Sequence, residues 1–461
     1  MQTYELIAPC HFGLESEVKR EIYDLGYEIT QVEDGRVTFE GDAEAIVRAN
    51  MGLRIAERVL LKVGSFEARS FEELFQGTKA LPWEEFLPAD ARFWVTKAAS
   101  VKSQLFSPSD IQSVMKKAMV ERMAQHYDPA RIAGGGAAQT GSERRTGGGG
   151  AAAGRTRRGE VRFPETGADY PVRVFIKKDL VTAAIDTTGE SLHKRGYRRY
   201  KVAAPIAENL AAGLLSLTPW KPGRILVDPF CGSGTFLIEA AMISAHIAPG
   251  LNREFTAQHW TNLIPETLWD EVREELREEI DLTVPCDLQG YDIDRDAIYA
   301  ARENAKLAGV EHLIHFQVRP VSELSHAKPN GFLITNPPYG ERLMPDGRAE
   351  SRKKEDRMPL SPGGTHAASD RTPSGKGAAD GKPAARLTPD EAQELQALYR
   401  TLGERYRALD AWSMYVITSY ENAEKALGIT AAKKRKIYNG MIRTNFYSFP
   451  GPRPARRTAP S

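Results

Sequence analysis

Asp228-Pro229-Phe230-Cys231-Gly232-Ser233-Gly234-Thr235 combines an acid, closely spaced glycines and a hydroxyl in eight residues. It follows Ile225-Leu226-Val227, an apolar, β-branched run of the kind that forms a buried strand. It leads into Phe236-Leu237-Ile238-Glu239-Ala240-Ala241, which reads as a helix. Strand, glycine turn and helix are the layout of a nucleotide-type cofactor site at the carboxyl end of a parallel strand. Gly232 and Gly234 let the backbone approach a ligand, because no Cβ intervenes. A dinucleotide fingerprint needs a third glycine three residues after Gly234, and Leu237 stands there. Asp228 would also repel a pyrophosphate. A cofactor with a cationic centre and no phosphates suits this loop better.

Two further stretches carry chemistry. Leu288-Gln289-Gly290-Tyr291-Asp292 reads as a second strand ending in acids. Asp292, and after it Asp294, is placed to accept ribose hydroxyls. For Asp294 a plain helix cap is an equal alternative, since a helix begins directly after it. Residues 312–318 read as a third strand, and 319–323 follow it where an adenine lies in a doubly wound sheet. Phe332-Leu333-Ile334-Thr335 reads as a fourth strand running into Asn336-Pro337-Pro338-Tyr339. The paired prolines donate no N–H and keep Asn336 extended. An exocyclic amine has two hydrogens to place. The Asn336 amide oxygen and the Pro337 carbonyl are suited to take them, with Tyr339 stacked on the ring. Such stacking is worth roughly 1–3 kcal/mol per base.

At 461 residues the chain has room for two or three domains. Its formal net charge of +1 gives no global field, so any surface for nucleic acid must be local. Cys10, Cys231 and Cys286 make neither a paired framework nor a metal-ligand spacing, which fits a reducing cytosol. No apolar run reaches membrane-spanning length. A soluble, cytoplasmic protein without a metal is expected.

Residues 1–55 alternate strand and helix patterns as a small α+β unit. Residues 56–187 continue in that style and close on a hairpin at 172–176 and 180–186. Two stretches, 134–159 and 346–387, have compositions that cannot form a core. They read as disordered insertions, and 451–461 as a disordered tail. Residues 189–201 are densely basic with interleaved aromatics. Lys194, Arg195 and Arg198 suit phosphates, and Tyr197 and Tyr200 a base stack, against the alternative of a solvated connector. Lys433-Lys434-Arg435-Lys436 is a second basic run with the same reading.

The stretches 228–241, 291–294 (YDID) and 336–343 (NPPYGERL) resemble class I S-adenosylmethionine-dependent methyltransferases that modify amino nitrogens. More closely, with 189–198 and 433–440 included, the chain resembles the THUMP-domain RNA methyltransferases that make N2-methylguanosine in bacterial 23S rRNA. The resemblance implies a ferredoxin-like piece (1–55), a THUMP domain (56–187) and a Rossmann-like α/β methyltransferase domain (188–450). It implies S-adenosylmethionine as cofactor, held by Asp228, Pro229, Phe230, Gly232, Gly234, Thr235, Asp292 and Asp294. It implies a target guanine held by Asn336, Pro337, Pro338 and Tyr339, and 23S rRNA or a large-subunit precursor as partner, met by Lys194, Arg195, Tyr197, Arg198, Lys433, Lys434 and Arg435. Two other readings stand beside it. One is amino methylation of adenine N6 or a protein glutamine, and the other is a non-catalytic RNA-binding or ribosome assembly factor.

Overall fold

The computed structural model describes residues 2–127, 163, 165–200, 206–339, 388–440 and 442–452. The two low-complexity stretches, the end of the NPPYGERL motif (340–343) and the tail beyond 452 lie outside the described residues.

The first sheet collects seven strands. In chain order the elements are β1 (Tyr4–Pro9), α1 (Glu15–Asp24), β2 (Ile29–Glu33), β3 (Arg36–Gly41), α2 (Ala43–Gly52), β4 (Leu60–Glu67), α3 (Phe71–Ala80), β5 (Arg92–Val101), α4 (Pro108–His126), β6 (Asp169–Lys177) and β7 (Leu180–Asp186). The strand order is β2-β3-β1-β4-β7-β6-β5. All neighbours are antiparallel except β5 and β6. The pairing of Leu6 with Leu61 joins the first three strands to the rest, so one sheet runs through both halves of residues 1–187. The expected hairpin is β6–β7. Strand β2 had no counterpart in the sequence reading: its side chains are mostly exposed, so its apolar alternation is weak.

The second sheet holds the strands whose ends carry Asp228, Asp292 and Asn336. Its elements are α5 (Glu208–Ser216), β8 (Leu226–Asp228), α6 (Thr235–Ser244), α7 (Leu268–Glu278), β9 (Leu288–Asp292), α8 (Arg295–Leu307), β10 (Ile314–Val318), β11 (Phe332–Thr335), α9 (Pro389–Arg407), β12 (Ser413–Thr418), α10 (Ala423–Leu427), β13 (Lys433–Asn439) and β14 (Ile442–Phe449). The order is β10-β9-β8-β11-β12-β14-β13. Strands β8 to β12 are parallel, β14 runs antiparallel to β12, and β13 runs antiparallel to β14. The order reverses between β8 and β11, and loops at the carboxyl ends of such strands line a ligand crevice. Apolar β8 and β11 are wholly buried, as a sheet covered on both faces requires.

The two sheets are docked on each other. Trp260 stacks on Tyr170 with centroids 4.7 Å apart, and its indole N–H donates to the Asp169 carbonyl at 2.9 Å. Asn262 donates to the Phe86 carbonyl and accepts from the Tyr170 hydroxyl. The loop that carries Trp260 and Asn262 is therefore a seat of the first sheet.

Candidate active site

Asp228 ends β8 and is 2% exposed. Its Oδ1 accepts from the Thr335 hydroxyl at 2.7 Å and from the Phe230 N–H at 3.1 Å. Thr335 immediately precedes Asn336, so this bond fastens the glycine loop to the Asn-Pro-Pro-Tyr edge. Burial pushes the Asp228 carboxyl up to about 7, more than its two hydrogen bonds lower it.

The glycine loop closes on itself and on β9. Gly234 N–H donates to the Cys231 carbonyl at 2.8 Å, and Cys231 N–H to the Tyr291 carbonyl at 2.9 Å. Gly232 and Gly234 have φ of +52° and +82°, conformations glycine adopts without strain. A Cβ on Gly234 would stand 3.0 Å from Phe316 and 3.1 Å from Ala301. This second glycine therefore lets β10 and α8 pack against the loop. Cys231 is buried and its thiol is pushed well above the ordinary range, which suits packing and not nucleophilic attack.

Asp292 is half-buried at the end of β9. Its Oδ2 accepts from Gly232 N–H and its Oδ1 from Asp294 N–H, both at 3.0 Å. Burial raises this carboxyl too. Asp294 is exposed and its side chain accepts from Asp296 N–H at 2.8 Å, which makes it the N-cap of α8. Asp294 caps α8 because the chain turns from strand to helix there.

Sequence reading missed Ile293, which lies between these acids and is 76% exposed. It is a large apolar side chain left in water at the carboxyl edge beside the Asp292 carboxylate, a surface that suits a flat, apolar ring. The signal was present in YDID itself, as the one apolar residue among acids. Arg319, over the Tyr291 ring at 5.0 Å and donating its backbone N–H to the Asp292 carbonyl at 2.9 Å, fixes the adjacent 319–323 segment.

At β11, Asn336 is half-buried and its amide oxygen accepts from the Tyr339 hydroxyl. The Pro338 carbonyl accepts from Tyr399 of α9 at 3.1 Å, and the same hydroxyl meets Thr418 Oγ1 at 2.7 Å. The Asn-Pro-Pro-Tyr turn is thus braced from behind by α9 and β12. Pro337 and Tyr339 are both buried.

The basic segment read from the sequence as a phosphate and base contact is largely turned inward. Arg195 is 4% exposed and Tyr197 3%. Arg195 Nε meets Glu239 Oε1 at 3.4 Å and Tyr197 donates to the same oxygen at 3.1 Å. Further guanidinium N–H groups donate to the carbonyls of Leu192 and Arg54. Arg198 donates to the Ile206 carbonyl at 2.6 Å and pairs with Glu208 at 2.9 Å. These three residues lock the segment onto α5 and α6, with Arg195 and Tyr197 buried and Arg198 half-buried. Glu239, a lone carboxylate in the apolar run of α6, is what draws Arg195 inward, since a buried acid needs a partner. Lys194 is exposed and bonded to Glu190. In the second run, Lys434 pairs with Glu424, Lys433 is exposed and Arg435 is half-buried.

Among the described residues no group of three or more potential metal ligands occurs, and no helix is long and apolar enough to cross a membrane.

Fold and site together define a class I S-adenosylmethionine-dependent methyltransferase behind an RNA-type module. Three family descriptions match in order: RlmL ferredoxin-like domain over 5–60, THUMP domain over 68–129, and RMKL-like, methyltransferase domain over 195–352. The chain is 38% identical to the Bacillus subtilis protein named putative RNA methyltransferase YpsC, over 97% of this chain and 96% of that one. It is 30% identical to the ribosomal RNA large subunit methyltransferase K/L of Syntrophotalea carbinolica, over 95% of this chain but 52% of that protein. A crystal structure described as a possible methylase from Clostridium difficile 630 superposes with TM-score 0.79 at 43% identity, covering 99% and 100% of the two chains. SMU.472, a putative methyltransferase solved with S-adenosylhomocysteine, superposes at 0.76 and 36% identity, covering 98% and 99%. The chain belongs to the RNA methyltransferase family that includes YpsC.

The residues present fit S-adenosylmethionine. The loop has no third glycine for a pyrophosphate, Asp292 is fixed at the end of β9, and Ile293 is bare beside it.

Proposed function

We propose that this protein methylates the exocyclic N2 amine of a guanine in RNA, with 23S rRNA or its precursor as substrate. The observation that carries the reading is Asn336, whose amide oxygen accepts from Tyr339 and whose neighbours Thr335 and Pro338 are bonded to Asp228 of the glycine loop and to Tyr399. The relative named for K/L methylation of large-subunit rRNA supports the choice of RNA. We take residues 1–55 and 56–187 as the delivering module and 188–450 as the catalytic domain.

Bound at the loop, S-adenosylmethionine supplies an electrophilic methyl on a sulfonium. The roles of the chain's own residues follow. Phe230, Gly232 and Gly234 line the methionine part, the buried Asp228 holds the loop in shape, Asp292 takes the ribose hydroxyls and Ile293 covers the adenine. A guanine amine is a poor nucleophile because its lone pair is delocalised into the ring. An acceptor aimed at its hydrogens favours the pyramidal form that develops in the transition state. The Asn336 oxygen has two lone pairs, so it accepts from Tyr339 and still receives an amine hydrogen. Tyr339 thereby positions the acceptor as well as offering its ring. No strong base is required, since the methylated amine becomes acidic and its proton passes to water. The base must leave its stack to reach this edge.

The test is incubation of the full chain with labelled cofactor and total RNA from cells lacking this protein, followed by digestion to nucleosides. N2-methylguanosine is expected. N6-methyladenosine, or label found only in protein, would overturn the reading.

A further inference from the structure

The β13–β14 hairpin reaches past the end of the sheet it belongs to. Thr418, the last residue of β12, pairs with Asn445, and Asn445 pairs with Lys436. Beyond that level only the hairpin continues, through Tyr438 opposite Arg443 to Asn439 opposite Ile442. From Asn445 to Ile442 this is three residues, about 10 Å of two-stranded arm at roughly 3.3 Å per residue. The parallel strand β11 ends in the same direction with Thr335 opposite Val416. The arm therefore overhangs the edge that carries Asn336.

Its outward residues fall on one face. Cross-strand partners share a face, and so do residues two apart. Lys436, Tyr438, Arg443 and Asn445 accordingly share the face of Thr418. On that face the Tyr399 hydroxyl bonds both Thr418 and the Pro338 carbonyl. Tyr438 is 46% exposed, and Lys436 and Arg443 are exposed. Among the described residues no carboxylate lies within ion-pair reach of Lys436 or Arg443, whereas Lys434 one step back is occupied by Glu424. The arm also adjoins the first sheet's module. A Cβ on Gly13 would stand 3.8 Å from the Lys436 carbonyl oxygen, and Phe12 beside it is 54% exposed.

We propose that Lys436, Tyr438 and Arg443 form a clamp for the single-stranded RNA flanking the target nucleotide, with Tyr438 stacking on a neighbouring base and the two cations on its phosphates. An aromatic face between unpaired cations is the chemistry that holds single strands without reading sequence. Among the described residues these two cations are the ones at this edge left without a carboxylate, and the Tyr438 ring beside them is exposed. The clamp rests on the reading of the protein as an RNA methyltransferase, and it moves the contact from Lys433–Arg435 to the arm's tip.

The test measures methyl transfer to total RNA from cells lacking the protein, together with S-adenosylhomocysteine affinity. Tyr438→Ala is expected to raise KM for RNA at least about fivefold, with a smaller change in kcat and unchanged cofactor affinity; Tyr438→Phe restores KM. The Lys436→Ala/Arg443→Ala pair is expected to flatten the dependence of log KM on log salt by about 1.4, at roughly 0.7 per phosphate contact on a single strand. An active wild type whose KM and salt slope are the same in all variants overturns the clamp alone. A wild type that transfers no methyl to RNA overturns the parent reading and the clamp with it.

Discussion

The carboxylate of Asp292 accepts the backbone N–H of Gly232 at 3.0 Å, joining the end of β9 to the turn after β8 across sixty residues of sequence. One oxygen holds the loop while the other is bonded to Asp294 N–H, so the acid is fixed before any ligand arrives. Asp292→Ala is expected to weaken S-adenosylhomocysteine binding by at least about tenfold, since hydrogen bonds to a charged group are worth roughly 1.5–3 kcal/mol. Ile293→Ala is expected to weaken it by a smaller factor without loosening the loop. Titration calorimetry on both variants checks the order.

Asn336→Ala is expected to lower kcat by about 100-fold or more while leaving cofactor affinity intact, the size of effect seen when a positioned polar group is lost from a transition state. Tyr339→Phe removes the hydroxyl that orients the Asn336 oxygen but keeps the ring. A smaller fall in kcat, with KM for RNA nearly unchanged, is expected. Steady-state kinetics on the two variants separates acceptor from stacking platform.

Asp228 predicts a pH dependence. Its folded-state value is raised from 3.8 to about 7, so between those limits the folded protein binds a proton that the unfolded chain releases. Stability from this group is therefore full below pH 4 and falls as pH rises toward 7. Asp228→Asn keeps the acceptor for Phe230 and the contact with Thr335, and cannot ionise. Melting curves are expected to coincide for variant and wild type near pH 4, with the variant melting higher by several degrees at pH 8. Equal melting across the range would refute the buried-acid account.

The Arg195–Glu239 pair predicts a stability effect where the sequence suggested an RNA effect. Glu239→Ala leaves a guanidinium buried without its partner and is expected to cost about 3–5 kcal/mol. Tyr197→Phe loses one hydrogen bond to Glu239 and is expected to cost about 1 kcal/mol. Denaturant unfolding measures both. RNA affinity of the folded Tyr197→Phe protein is expected to equal that of wild type.

Much of the catalytic domain was legible because its parallel strands are short apolar runs ended by glycine, acid or proline. Asp228, Gly232, Asp292 and Asn336 stand at those ends, and their order alone suggests one ligand edge. The lack of a third glycine pointed away from a pyrophosphate cofactor on sequence grounds alone. β2 and the start of β13 were not legible, because their polar and basic side chains hide the period of a strand whose register is set by its neighbour.

What the sequence determined by itself was the set of strand-end residues and the class of cofactor they suit. Local chemistry settles those: φ freedom at glycine, the missing N–H of proline, the charge of an acid. Only the tertiary structure decided which charges face solvent. Lys194, Arg195, Tyr197 and Arg198 read alike as a basic, aromatic string, yet Glu239 and Glu208, brought in by α6 and α5, draw Arg195, Tyr197 and Arg198 inward. Lys436, Tyr438 and Arg443 are gathered on one face only by the pairing of two strands. Burial and cross-strand register depend on partners distant in sequence, and no local pattern encodes them.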